Sequence, residues 1–240
     1  MPSSRFPTQR GPLALLSFGH GFVDIYQGAV AALVPFFVAE RAFSYAAASG
    51  IVLAASLLSS VVQPLFGILT DKRPMRWLLP VSTLTAGGGV ALVGVSDSYL
   101  VTVIVVAVSG IGVAAYHPAA AQAARSASGR SHSGMGWFSL GGNLGFAAAP
   151  LMVAGVIAVG GLRASPLLVV PALAGALLSL AAMRGIPKAA TKIPEQNEAL
   201  AEDNWTSFLQ LAGAIICRSI VFVGLSAFIS LYAAHRTEGT

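Results

Sequence analysis

Seven apolar runs, each near the roughly 20 residues that cross a bilayer core as helix, occupy most of this 240-residue chain. They cover residues 13–38, 46–69, 78–95, 99–123, 135–160, 164–183 and 207–233. Transmembrane strands are shorter and alternate in polarity, which these runs do not. Composition agrees: 55% of residues are hydrophobic and 10% charged, too little charge to coat a soluble surface of this size. The expected fold class is an all-α integral membrane protein with about seven transmembrane helices.

The net charge of +5 reads as topology, not as a nucleic-acid partner. With the amino terminus inside, Arg5, Arg10, Lys72, Arg73, Arg76, Arg125, Arg130, Arg184, Lys188 and Lys192 fall on the inner side. Arg41, Arg163 and Arg236 fall outside. That asymmetry predicts a multi-pass protein of the inner or plasma membrane with a cytoplasmic amino terminus. Trp77, Trp137 and Trp205 begin spans at the inner interface, while Tyr45, Tyr99 and Tyr232 lie at outer ends, as amphipathic rings prefer. Cys217 is the single cysteine, so no internal disulfide is possible, and no metal-ligand spacing occurs.

Most connections are short, which makes successive spans antiparallel neighbours. Residues 1–183 are therefore expected to form one six-helix bundle. The stretch 184–206 holds four acids, three bases and two prolines and reads as a cytoplasmic linker. Residues 207–240 read as the first helix of a second, incomplete half.

Polar groups inside apolar runs are expensive and therefore informative. Ser17, His20, Asp24 and Gln27 recur at helical spacing and form one stripe. Asp24 lies near mid-membrane, where an acid costs about 2.5–3.5 kcal/mol on insertion scales, so the stripe must face the bundle interior or water. Asp24 and His20 could take and release a proton. A structural hydrogen bond between two helices is the alternative. Ser49, Ser56, Ser60 and Gln63 form a second stripe, lining a polar cavity or bonding back to their own helix. His117 stands beside Pro118, which withdraws a backbone donor. It reads as a gate, a titratable ligand or a satisfied interfacial side chain. Arg218, mid-span, needs an acid, an anion or water: a salt bridge to Asp24 or an anionic substrate. Asp71 closes the second span at the negative end of the helix dipole and is expected to seek Lys72, Arg73, Arg76 or another helix's amino end. No nucleophile–base set, phosphate loop or metal cluster appears, so no enzyme and no cofactor are expected.

The loop "GILTDKRPMRW" resembles the signature loop of the major facilitator superfamily. Gly67, Asp71, Lys72 and Arg76 match its pattern, and Pro74 stands where glycine is usual. "GGNLGFAAAPL" is similar to the superfamily's antiporter motif through Gly141, Gly145 and Pro150. Val106 occupies the place of the usual arginine of the fourth span. Taken with His20, Asp24 and Gln27, "QPLFGILTDKRPMRW" and "YHPAAAQAARSASG", the resemblance is to the fosmidomycin-resistance branch of drug exporters. It implies proton-coupled efflux of a small molecule by alternating access. The expected pathway residues are His20, Asp24, Gln27, Gln63, His117 and Arg218. Gly67, Asp71, Lys72, Arg73 and Arg76 would form a cytoplasmic latch. The implied partners are protons, a small-molecule substrate, the bilayer and a second transporter half. Such exporters have about twelve spans, so the chain is expected to be an amino-terminal portion. A non-transporting fragment and a half-transporter pairing with another chain are the alternatives. A seven-helix receptor fits poorly, because the seventh span lacks the lysine that a retinal Schiff base requires.

Overall fold

The computed structural model describes residues 8–73, 75–186 and 204–237, with side chains as far as residue 221. Among these residues seven α-helices follow one another: α1 Arg10–Arg41, α2 Tyr45–Lys72, α3 Leu78–Ala91, α4 Tyr99–Ala127, α5 His132–Gly160, α6 Val169–Gly185 and α7 Trp205–Thr237. Each expected apolar run falls on one of them, and no strand occurs among the described residues. α1, α2, α4 and the helical stretch His132–Gly185, which contains α5 and α6, are long and apolar enough to cross a membrane. Leu78–Gly94 is shorter, and its last turn, Leu92–Gly94, is 3₁₀.

The chain forms two compact units, Met1–Ile193 and Pro194–Thr240. Their boundary lies inside the polar stretch 184–206. In the second unit, Asn204 starts α7 by accepting the Ser207 amide on its side-chain oxygen at 3.0 Å, an N-cap of the usual kind. Trp205 and Phe208 meet edge to face one turn into it. Tyr232 and Arg236 lie where side chains are not described.

In the first unit the surface is inverted relative to a soluble protein. Leu53, Leu57, Val61 and Leu65 are all more than half exposed along α2, as are Leu144 and Leu151 on α5. The interior instead holds small residues: Ala29, Ala86, Ala114, Ala120, Ala124, Ala149 and Ala172 are fully or almost fully buried. Apolar burial gives helices no mutual attraction in lipid, so close backbone approach must supply it. The glycines of α1 and α5 show this directly. A Cβ at Gly21 would lie 2.9 Å from the Gly141 carbonyl oxygen, and one at Gly28 would lie 2.6 Å from the Ala149 side chain. Gly141 and Gly145 press in turn on the backbones of Ser17 and Gly21.

Contacts at the helix ends show the alternation of direction. At one end the Gln9 amide donates to the Ala127 carbonyl, Leu13 approaches Gly134, and Pro12 approaches Gly185. The Arg76 guanidinium donates to the Ile186 carbonyl there at 2.7 Å. At the other end Arg41 donates to Thr102 Oγ1 at 2.8 Å and to the Val93 carbonyl. Glu40 accepts the Leu162 amide at 2.9 Å. Trp77 and Trp137, on the end that gathers Arg10, Arg76 and Arg130, are exposed as interfacial rings should be.

The sixth apolar run departs from expectation at its start. Residues Gly161–Leu168 are 3₁₀ rather than α. Gly161 turns the chain at φ +61°, and a Cβ there would meet the Glu40 carboxylate. Ser165 Oγ then donates to the Ala91 carbonyl and accepts from the Gly94 amide, both at 2.8 Å. These bonds fasten the segment to the end of α3 and satisfy backbone groups that no regular helix would reach. Around α1 the other helices of this unit are arranged so that α1 touches α2, α3, α4, α5 and α6.

Candidate functional site: a His–Asp–His cluster on the central helix

His20 and Asp24 stand one turn apart on α1, with Nε2 and Oδ2 at 3.3 Å. α4 brings His117 to the other side of the carboxylate, its Nε2 3.0 Å from Asp24 Oδ1. The imidazoles of His20 and His117 meet edge to face at 5.3 Å, and His20 lies flat on Phe138 of α5 at 4.2 Å. His20 is buried and the other two are largely so.

Both imidazoles are tethered from behind. His20 Nδ1 lies 2.9 Å from the Phe138 carbonyl oxygen, and His117 Nδ1 lies 2.7 Å from that of Val113. A carbonyl can only accept, so each Nδ1 carries a proton; a neutral ring then turns an Nε2 lone pair toward Asp24, and a protonated ring donates to it. The carboxylate is also an acceptor. His20 Nε2 is indeed buried without a hydrogen-bond partner. Close approach of acceptors at lipid depth is unfavourable unless something positive sits among them. A proton or another cation completes the group. The donor atoms of all three residues lie within 4.8 Å of one another, so they are also the set that could hold a metal.

Gly142 makes the room. A Cβ there would lie 2.6 Å from His20 Cε1 and 2.8 Å from its Nδ1, and would touch Asp24 Oδ2. Its sequence signal was one glycine in a glycine-rich helix, which reads as helix packing. Its service to the cluster emerges only in three dimensions.

Beside the cluster a polar cavity of about 160 Å³ lies between α1, α2 and α4. Gln27, Ser56, Ser60 and Gln63 line it, joined by Ser59 and Ser109. The four residues of the expected α1 stripe therefore part company. Ser17 bonds back to the Leu13 carbonyl at 2.9 Å and faces a separate groove along α1 and α5. His20 and Asp24 enter the cluster, and Gln27 enters the cavity. Ser49 lies outside that cavity. Arg218 is exposed on α7, in the second unit.

Asp71 corrects its expectation. Among the described residues it makes no ion pair, and it is exposed. Arg76 turns instead to the Ile186 carbonyl, where orphan acceptors at the end of α6 attract a cation. Gly67 meets no neighbour within 4 Å of a Cβ position. Pro150 is exposed within an unbroken α5, while Gly141 and Gly145 form the tight seam with α1 described above.

An all-helical bundle with helices long and apolar enough to cross a membrane, and titratable groups on its central helix, defines the class: a multi-pass membrane protein. The Major Facilitator Superfamily profile matches residues 16–239, and the chain belongs to that family. It is 33% identical to the fosmidomycin resistance protein of Escherichia coli (strain K12) over 152 residues, 63% of this chain and 37% of that protein. It is 29% identical to the uncharacterized MFS-type transporter YfnC of Bacillus subtilis (strain 168) over 143 residues, 59% of this chain and 35% of that protein. The aligned part thus spans little more than a third of the length of these relatives. No solved structure matches the chain.

Proposed function

We propose that the chain provides the first half of a proton-coupled exporter of small molecules that works by alternating access, with its amino terminus cytoplasmic. The observation that carries this reading is the convergence of two imidazole Nε2 atoms on Asp24 at 3.3 and 3.0 Å, one helical turn from a cavity that Gln27 and Val113 line. A proton arriving there removes a repulsion between α1 and α4, and its departure restores that repulsion. The preferred arrangement of the two helices therefore depends on protonation. Gln27 of α1 and Gln63 of α2, which both line the cavity, are the groups to hold a polar cargo. The fosmidomycin resistance protein suggests an antibiotic as the first cargo to try. Arg218 would add a cation to the pathway, and Gly67, Asp71, Lys72, Arg73 and Arg76 would latch the cytoplasmic side against a second half. The alternating halves of such transporters rock about a midplane site, which is the depth of Asp24.

The test uses the 240-residue chain in proteoliposomes that enclose a pH-sensitive dye. Addition of fosmidomycin should move protons in the wild type and not in Asp24→Asn. Equal proton movement in the two would remove Asp24 from the mechanism. Absence of movement in the wild type would overturn transport by this chain alone. Mass measurement in detergent then decides whether it associates with a second half or copy.

A further inference from the structure

We propose that His20, Asp24 and His117 form a binding site for one divalent transition-metal ion, Zn²⁺ foremost, joining α1 to α4. The donor set is two imidazoles and a carboxylate, which Zn²⁺ accepts readily and leaves an open fourth position. Sulfur is absent from it, which disfavours soft ions, and a site with two nitrogens is poor for Mg²⁺ or Ca²⁺.

Four features of the structure support the assignment. The tethers of Nδ1 to the Phe138 and Val113 carbonyls are the outer contacts that fix a ligating histidine's tautomer and aim. His20 Nε2 is buried without a hydrogen-bond partner, and it is an atom that a cation would engage. The separations are also close: one ligand atom from each residue lies within 4.8 Å of the others, so modest side-chain shifts bring the three to the roughly 3.4 Å spacing of ligands around a tetrahedral ion. Finally, Gly142 keeps a Cβ out of the same space.

The inference stands on donor chemistry alone and needs neither a gradient nor a cargo. Metal and protons would compete for the same lone pairs.

The full chain, purified without a polyhistidine tag and stripped with chelator, is titrated in detergent with Zn²⁺ by calorimetry and with Co²⁺ by visible absorption. One ion per chain is expected, with the intense bands of tetrahedral Co²⁺. His20→Ala, His117→Ala and Asp24→Asn should each weaken binding at least about tenfold. His132→Ala, an exposed position, should leave it unchanged. No saturable heat and no cobalt bands in the wild type would overturn the proposal, as would undiminished binding in the three variants. Should a variant not fold, electron paramagnetic resonance of Cu²⁺ on the wild type decides. Coupling to two nitrogens supports the site, and coupling to fewer overturns it.

Discussion

Gly142→Ala tests whether the cluster is held as tightly as its geometry implies. The new methyl would sit 2.6 Å from His20 Cε1 and 2.8 Å from Nδ1, where ordinary contact begins near 3.4 Å, so the ring would need to retreat about 0.8 Å. Retreat is blocked. Phe138 is stacked at 4.2 Å, and the Nδ1 bond to its carbonyl at 2.9 Å would be lost. The alternative is to separate α1 from α5, but Gly21, Gly141 and Gly145 already place those backbones in contact. Overpacking of this kind costs about 1–3 kcal/mol. Alanine in place of a helical glycine returns roughly 0.5–1 kcal/mol. Gly136 and Gly155 on the same helix have nothing within 4 Å of a Cβ position, so their alanine variants receive the gain without the cost. At about 2–4 °C per kcal/mol for a chain of this size, Gly142→Ala should melt about 2–12 °C below those two controls in detergent, followed by helix content. Melting level with Gly136→Ala and Gly155→Ala would refute the claim that the cluster has no slack.

Two further substitutions probe the opposite end of the bundle. Arg41→Ala should cost about 2–3 kcal/mol, since its guanidinium holds Thr102 and Val93 and lies 5.7 Å from the Phe37 ring, with charged hydrogen bonds the strong kind. Asp97→Asn, by contrast, should stay within about 0.5 kcal/mol, because Asp97 is 91% exposed at 3.5 Å from the same arginine and such pairs contribute little; thermal melts compare the two. Ser165→Ala leaves the Gly94 amide without its 2.8 Å acceptor and should lower stability by about 1–3 kcal/mol, with faster hydrogen exchange at Gly94 as the local readout.

The helices were legible because length and hydropathy are local properties, and every apolar run became a helix. His20 and Asp24 were legible for the same reason: a spacing of four puts two side chains on one helical face. His117 reads only as a histidine beside a proline, because its partner lies on another helix and a one-dimensional pattern carries no helix pairing. The same blindness hid the metal-type donor set, whose members come from α1 and α4, and the purpose of Gly142. Ser17 misled because helical spacing gives direction from the axis and not what waits there. It meets α5 so closely that its hydroxyl turns back to Leu13. Arg76, one of the three bases named with Asp71, has its acceptor at the end of α6, a tertiary partner that a one-dimensional pattern does not show. The 3₁₀ start of the sixth run depends on Ser165 finding α3, a contact that hydropathy does not register.

The placement of the cluster says more than its composition. α1 is the helix that touches each of the other five in its unit, and it carries two of the three groups. Its contact with α5 includes a backbone-on-backbone seam, with Gly21 against Gly141 and Gly145, next to the stacking of His20 on Phe138. Its contact with α4 at this depth passes through Asp24 and His117, whose interaction changes with what sits between them. One seam is therefore fixed by sterics and the other is set by charge. Under the proposed function, the arrival of a single cation at Asp24 would change one helix boundary while the other holds. Reversing the two would defeat the design, because glycines at the α1–α4 boundary would couple it permanently and leave the charge nothing to switch.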